Sequence, residues 1–258
     1  MIEHTFIILQ GIGSITERKL WQEGVLTWED FISTRRIRRI SSERKRNYDN
    51  TLMKAAVNLE NGNSAYFSRC LDAKEHWRLY EKWKDEACFL DIETKGLQHG
   101  ITVVGIYSKE GYTHYVRGIN LIRESLEEEL NKYSMLVTFY GRAFDMPFIE
   151  RELGIRVDSP HLDLCFAGKK IGLKGGLKNV EQHIGIEREG DIKGLNGFDA
   201  VQLWNDYKRG DKDALNTLIR YNEADTVNLK ILADFIYDTL KEKTFLSLTE
   251  SCNPLSDP

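Results

Sequence analysis

The spacing of hydrophobic and polar positions changes near residue 86. Beyond it, three runs rich in β-branched and aromatic residues, at 87–93, 101–108 and 112–118, predict a meander of three strands. The following patterns predict, in order, a helix at 120–133, a strand at 134–140, a helix from Phe144 to Gly154, a short strand at 161–165, and helices at 176–185, 197–210 and 211–243. This order predicts an α/β fold, in which a mixed sheet is flanked by helices on both faces.

The first 85 residues carry only helical patterns. The start and stop signals are a Ser14–Glu17 capping-box pair followed by Gly24, and a second pair formed by Thr27 and Asp30. Longer helical patterns follow at about 42–60 and 73–85, separated by the breaker NGNS. We therefore predict a small helical N-terminal module at 1–85, an α/β domain at 86–245 and a C-terminal tail at 246–258.

Charge is unevenly distributed along the chain. The net charge is −4, yet residues 1–85 carry 15 Lys and Arg against 12 Asp and Glu, whereas the rest carries 21 against 28. The densest basic run, TRRIRRISSERKR at 34–46, has seven basic residues and one acidic residue. Such a run is either a solvated face or a contact for phosphates. The candidate nucleic-acid contacts in it are Arg35, Arg36, Arg38 and Arg39.

The segment around Gly11 and Gly13 resembles a helix-hairpin-helix, because a Gly-x-Gly turn lies between a short helical stretch and a second helix start. In that family the amides of the turn contact a nucleic-acid phosphate at a helix N-terminus. The resemblance implies that both glycines contact nucleic acid. The alternative is an ordinary turn before a helix.

Cysteine usage and hydropathy favour a cytoplasmic protein. The four cysteines, at 70, 88, 165 and 252, are scattered and form no CxxC pair, which is usual in a reducing compartment. The opening MIEHTFIILQGIGS has no basic region or small-residue cleavage site of a secretory signal. No apolar run approaches the roughly 18 residues of a membrane span.

Three acidic positions interrupt otherwise apolar patterns. Asp91 and Glu93 lie two apart in the strand CFLDIET, so they project from the same face. Either they lie at a strand end that meets water, or a cation neutralises them. Asp145, in RAFDMPF, has by itself the pattern of a helix N-cap. Asp225 falls within the apolar stripe of its helix, where a buried charge requires a partner.

These residues resemble the three motifs of the DEDD (DnaQ-like) 3′–5′ exonuclease superfamily, which has the ribonuclease H-like fold. FLDIETKGL is similar to the first motif, YGRAFDMPFIERE to the second, and YNEAD to the third in its Tyr-x-x-x-Asp form. HLDL and GGLKNVEQHIGI, between the second and third motifs, resemble the YprB-like branch most closely. Relatives usually carry Asn-Gly ahead of the second Asp, whereas this chain has Tyr140-Gly141.

The residue types suit Mg²⁺ or Mn²⁺, since the ligands are oxygens with no His or Cys among them. The resemblance implies two ions, with Asp91 bridging them, Glu93 and Asp225 completing one site, and Asp145 reaching the other through water. It assigns to Tyr221 the orientation or deprotonation of the attacking water. The metal ligands and Tyr221 are thus the predicted catalytic residues.

The sequence thus predicts a metal-dependent nuclease, a 3′–5′ exonuclease acting on a single-stranded end of DNA or RNA. Two alternatives remain open: a nucleic-acid-binding module with weak or lost turnover, which the Tyr140 departure permits, and a structure-selective endonuclease with the same metals.

Overall fold

The computed structural model describes residues 1–96, 100–188 and 190–247. Its strands are β1 (Ala87–Thr94), β2 (Ile101–Ser108), β3 (Gly111–Val116), β4 (Met135–Thr138) and β5 (His161–Asp163). The α-helices are α1 (Ser14–Gln22), α2 (Trp28–Ser33), α3 (Ser42–Glu60), α4 (Ser64–Cys70), α5 (Tyr80–Trp83), α6 (Arg123–Leu130), α7 (Asp145–Leu153), α8 (Leu164–Lys169), α9 (Leu177–His183), α10 (Gly197–Lys208) and α11 (Lys212–Lys241). Short 3₁₀ segments lie at Ile2–His4, Ala73–Leu79, Lys84–Glu86 and Gly190–Ile192, and a π-helical turn at Glu242–Leu246 continues α11.

The strands form a five-stranded mixed sheet in the order β3-β2-β1-β4-β5. The first three strands are antiparallel neighbours, as the meander predicts, whereas β4 and β5 join the sheet in parallel beside β1. The carboxyl ends of β1, β4 and β5 therefore meet at one edge of the sheet. The predicted α/β fold with helices on both faces is confirmed.

Alternate residues of β1 contact different layers of the molecule. Cys88, Leu90 and Ile92 pack in one core with residues of α6 and α7. Ala87 and Phe89 pack in a second core, which includes residues of α8, α9 and α11. The side chains of Asp91 and Glu93 belong by alternation to this second face, the one that α11 covers.

The N-terminal 85 residues are helical, as predicted, and share a core with the α/β region. One continuous cluster of buried side chains extends from Phe6 and Trp21 through Trp83 to Phe89 and Tyr237. The helix at 42–60 and the helix start at Thr27 are confirmed, and Thr27 forms a capping box with Asp30. The domain boundary at residue 85 stays a prediction. The predicted tail at 246–258 lies, apart from its first two residues, outside the described part of the chain.

The predicted capping box at Ser14 is wrong. Gly13 is the N-cap of α1, and the Glu17 carboxylate instead accepts hydrogen bonds from the Phe6 amide at 2.7 Å and the Arg78 guanidinium at 2.9 Å. A buried carboxylate is stabilised more by a buried guanidinium than by one backbone amide, so the long-range partner prevails over the local one.

Among the described helices, none is both long and apolar enough to span a bilayer.

Candidate active site

Strand β1 and helix α11 bring three of the predicted carboxylates together. One oxygen of each of Asp91, Glu93 and Asp225 lies within 4.8 Å of the others. Glu93 and Asp225 are only 7% and 6% exposed. The apolar stripe of α11 explains the position of Asp225, because Leu218, Tyr221 and Leu229 on the same helix face are buried against the sheet.

Asp145 lies beside this cluster and contacts the backbone of β1. It is the first residue of α7 and is 3% exposed, and its Oδ1 accepts a hydrogen bond from the Ile92 amide at 3.1 Å. Phe144, not Asp145, is the N-cap of this helix, so the N-cap interpretation of Asp145 is wrong. The hydrogen bond fixes its carboxylate next to the strand that carries Asp91 and Glu93.

Burial raises the pKa values of all four carboxyls, and repulsion from the other carboxyls adds to the rise for Asp91, Glu93 and Asp145. The pKa of Asp91 rises well above its usual range through burial and then through the charges of Asp225, Asp145 and Glu93. Burial raises the pKa of Asp145 to about 7. The pKa of Glu93 rises through burial and then through the charge of Asp225, and that of Asp225 rises chiefly through burial. Such a cluster favours cation binding, because a cation removes the repulsion.

Asn222 of α11 fixes Asp91 in this arrangement. Its Nδ2 donates to Asp91 Oδ2 at 2.9 Å, while its Oδ1 accepts from the Tyr112 hydroxyl at 2.9 Å. The helix lies so close to β2 that a Cβ on Gly105 would be 1.8 Å from Asn222 Oδ1. A glycine is therefore required at position 105 for this approach.

Tyr221 lies one turn before Asp225 and is 5% exposed. Burial raises the pKa of its hydroxyl, with the charges of Asp225 and Glu93 as further causes. The phenol therefore stays protonated at neutral pH and can donate a hydrogen bond in the site. Arg188, from the loop after α9, donates to Asp225 and to Glu181.

The four carboxylates fit a divalent cation that prefers oxygen ligands. Their donors are all carboxylate oxygens, and Glu93 Oε1 is buried without a hydrogen-bond partner among the described residues. An unpartnered buried carboxylate oxygen beside two others is costly unless a cation contacts it. Asp91, Glu93 and Asp225 would hold one ion, and Asp145 lies close enough to Asp91 for its charge to raise the pKa of that residue.

The profile of the RNase H superfamily matches residues 88–237, more than half of the 258 residues. The chain belongs to the RNase H superfamily. The matched range contains all four carboxylates, most of α11 and nearly all of the sheet. Membership in this superfamily supports a nuclease activity in general, and the mixed five-stranded sheet has the RNase H-like fold.

A solved structure of this fold is the family B DNA polymerase from the hyperthermophilic archaeon Pyrobaculum calidifontis. It matches with a TM-score of 0.50 and 16% sequence identity, over 64% of this chain and 26% of the polymerase chain. The chain thus spans about a quarter of the polymerase, and at this identity the likeness shows the fold alone. No curated protein sequence matches the chain.

Tyr140 departs from the motif at a position whose backbone conformation favours Asn. Tyr140 adopts a left-handed conformation with φ of 66°, and its amide donates to Asp163 Oδ1 at 2.9 Å. Asn is several-fold enriched in this conformation, so the Asn of relatives suits the backbone here. Tyr140 is 48% exposed, and the centroid of its ring lies 6.0 Å from that of Phe166. The four carboxylates keep their arrangement with tyrosine at this position.

Three of the six predicted nucleic-acid contacts of the N-terminal region lie around one surface cavity. Gly11, which has a left-handed backbone, lines a surface cavity of about 180 Å³ with Arg38 and Arg39. Lys19 and Arg44 line the same cavity. Arg35 and Arg36 are exposed but do not line it, and Gly13 serves as the N-cap of α1. The helical stretch before the turn is only the 3₁₀ segment Ile2–His4, and the helix-hairpin-helix assignment stays a prediction.

Sequence reasoning missed Asn222, Glu181, Lys178 and Arg188. The sequence carries a signal for Asn222, since it is a polar residue three positions before Asp225 and so lies on the same helix face. The basic residues gave no such signal, because their contacts join α9 and its following loop to α11 across more than thirty positions of sequence.

Proposed function

We propose that the protein is a metal-dependent 3′–5′ exonuclease of the DEDD type, similar to the YprB-like branch, that removes nucleotides from a single-stranded end of DNA or RNA. The observation that carries the proposal is the convergence of Asp91, Glu93 and Asp225 within 4.8 Å, with Asp145 hydrogen-bonded to the backbone of β1. Motif order and membership in the RNase H superfamily support it.

The reaction is hydrolysis of a phosphodiester. The oxygen of a water molecule bonds to phosphorus while the bond from phosphorus to the 3′ oxygen breaks, and the proton from water ends on the 3′ oxygen. The products are a nucleoside 5′-monophosphate and a strand shortened by one nucleotide. When bound, two Mg²⁺ or Mn²⁺ ions supply positive charge to the attacking and leaving oxygens.

The residues of the chain then have distinct tasks. Asp91 is oriented by Asn222 and lies among the other carboxylates, which suits a ligand shared by two ions. Glu93 and Asp225 would complete one ion site with Asp91, and Asp145 would contribute to the other. Tyr221, protonated at neutral pH, holds the attacking water by a hydrogen bond and leaves proton removal to another group.

The test is incubation of 5′-labelled DNA and RNA oligonucleotides with the full chain in Mg²⁺, Mn²⁺ or EDTA. We expect a ladder that shortens from the 3′ end, present with either metal and abolished by EDTA. Cleavage within the strand, at defined structures of the oligonucleotide, would instead indicate a structure-selective endonuclease. Binding without cleavage would identify a binding module.

Two variants test the assigned residues in the same assay. Asp91→Asn should abolish cleavage without loss of folding, whereas Asp158→Asn, at an exposed position, should cleave like the wild type. Tyr221→Phe should lower the rate by about 10²- to 10⁴-fold with little change in substrate binding. Cleavage by Asp91→Asn at the wild-type rate would refute the metal site.

A further inference from the structure

Two basic side chains from α9 and the loop after it border the acidic cluster. Lys178 Nζ lies 4.6 Å from the centroid of the Tyr221 ring, and the Arg188 guanidinium carbon lies 5.7 Å from the same centroid. Arg188 Nη2 also donates to Asp225. Both cations are thus adjacent to the residues proposed to hold the metal and the attacking water.

The Arg188 guanidinium is held rigidly. Its Nε and Nη2 donate to the two oxygens of Glu181 at 2.8 and 2.7 Å, and Glu181 also accepts from Asn228 Nδ2 at 3.0 Å. The side chains of Arg188 and Glu181 are 7% and 2% exposed. A bidentate pair of this kind fixes the plane of the guanidinium, so the direction of its remaining nitrogen is fixed as well.

Two donors in this region lack acceptors. Among the described residues, neither Lys178 Nζ nor Arg188 Nη1 has a hydrogen-bond partner, although both atoms are buried. A buried charged donor without an acceptor costs free energy, and native proteins rarely retain one without a functional reason. Two such donors beside Tyr221 favour an anion with several oxygens.

We propose that Lys178 Nζ and Arg188 Nη1 bind the non-bridging oxygens of the phosphate that is hydrolysed. This inference rests on the proposed nuclease function and names the groups that hold the substrate's charge. Four carboxylates surround the site, so a phosphodiester would be repelled from it unless cations faced its oxygens. Fixed cations also stabilise the negative charge that these oxygens carry in the transition state.

The test measures binding of a nucleoside 5′-monophosphate, the expected product, by calorimetry in the presence of Mn²⁺. Lys178→Met retains an unbranched apolar side chain but removes the charge, and Arg188→Lys retains a charge but loses the forked donor. Each should weaken monophosphate binding about tenfold to a hundredfold. Lys174→Met, at an exposed position four residues before Lys178, serves as the matched control and should bind like the wild type.

Mn²⁺ affinity and thermal melting separate a phosphate contact from a structural role. A phosphate contact predicts that Lys178→Met binds Mn²⁺ within about threefold of the wild type and melts at a similar temperature, while monophosphate binding falls. Parallel decreases in Mn²⁺ affinity, melting temperature and monophosphate binding would overturn the proposal. So would monophosphate binding that is equal in Lys178→Met and wild type.

Monophosphate binding, measured beside the oligonucleotide cleavage assay, distinguishes this proposal from the nuclease function. If the wild type cleaves no oligonucleotide but binds the monophosphate through Lys178, the exonuclease proposal fails and the phosphate site stands. If the wild type cleaves and Lys178→Met binds and cleaves equally well, the phosphate site fails and the exonuclease proposal stands.

Discussion

At the scale of single residues, the candidate site consists of carboxyls that the fold holds in an unfavourable state. Asp145 is 3% exposed, and burial raises its pKa to about 7. A carboxyl whose pKa is raised on folding stabilises the folded state fully below its unfolded pKa near 4, and that contribution is lost as the pH rises through about 7. Without metal, ionisation of Asp145 therefore opposes folding at neutral pH.

Asp145→Asn should accordingly stabilise the protein in EDTA, and more so as the pH rises. The Asn side chain retains an acceptor for the Ile92 amide but cannot ionise. The free energy of unfolding of the variant should exceed that of the wild type by up to about 4 kcal/mol above pH 7, and by little near pH 4. Urea denaturation at pH 4 to 8 measures this difference.

The control is Asp158→Asn, at an exposed position. The difference in free energy of unfolding between this variant and the wild type should not increase from pH 4 to pH 8. A difference for Asp145→Asn that is the same at pH 5 and pH 8 would contradict the assignment of a raised pKa.

Tyr140 is the second residue held in an unfavourable state. A left-handed backbone costs a bulky residue about 1–2 kcal/mol, and Asn tolerates it better. Tyr140→Asn should therefore raise the free energy of unfolding by about 1 kcal/mol and leave cleavage unchanged, as measured by denaturant melts and the oligonucleotide assay. Tyr140→Ala should give no such gain. A higher KM in Tyr140→Asn would instead make the ring a substrate contact.

At the scale of elements, the site depends on how closely α11 approaches the sheet. Strand β1 provides Asp91 and Glu93, α11 provides Asp225, and Asn222 joins the two elements by its hydrogen bond to Asp91. Glycine at position 105 of β2 allows this approach. Displacement of the helix would change the distances from Asp225 to both strand carboxylates at once.

Gly105→Ala should therefore lower both stability and activity. The added methyl would clash with Asn222 Oδ1, at a cost of about 1–3 kcal/mol in the free energy of unfolding. An Asn222→Ala background removes the contact with Oδ1 and leaves that with Tyr112 Cε2 at 3.0 Å, so a double-mutant cycle should show a smaller cost for the same change. Gly197→Ala, with open space around the position, should have little effect. If Gly105→Ala lowers the free energy of unfolding equally in the wild type and in Asn222→Ala, the strain does not come from the contact with Asn222.

At the scale of the whole molecule, the helical N-terminal region and the α/β region share one core. Trp77, Leu79, Tyr80 and Trp83 are buried with residues of β1 and α11. Deletion of residues 1–85 would expose this core to water, so weaker nucleic-acid binding by the truncated chain would not identify a contact. Variants of the full chain with altered surface charge leave the core covered and test the contact directly.

Reversal of Arg35, Arg36, Arg38 and Arg39 to Glu tests whether this region contacts phosphates. Affinity for an oligonucleotide should fall, and the slope of log affinity against log salt should decrease by about 0.7 to 0.9 for each phosphate that the variant no longer neutralises. Cleavage at saturating substrate should be unchanged. The same reversal at the exposed Lys208 and Lys212 is the control. Matched slopes for variant and wild type would exclude a phosphate contact.

The order of the elements and the three motifs of the site could be predicted from the amino-acid sequence. Residues two apart on a strand share a face, and residues three or four apart share the face of a helix. These periods are properties of the local backbone. They place Asp91 with Glu93, and Tyr221 with Asp225, independently of any contact between β1 and α11. The alternation of strands and helices likewise indicated a sheet covered on both faces.

Tertiary packing determines which residues far apart in the sequence pair with the residues of these local patterns. Glu17 has the spacing of a capping box, yet it pairs with Arg78, which is 61 positions away. Asn222 meets Asp91 across 131 positions, and Arg188 meets Asp225 across 37. Local periodicity carries no information about such pairs, because their free energy comes from burial and charge complementarity that exist only after the chain has folded.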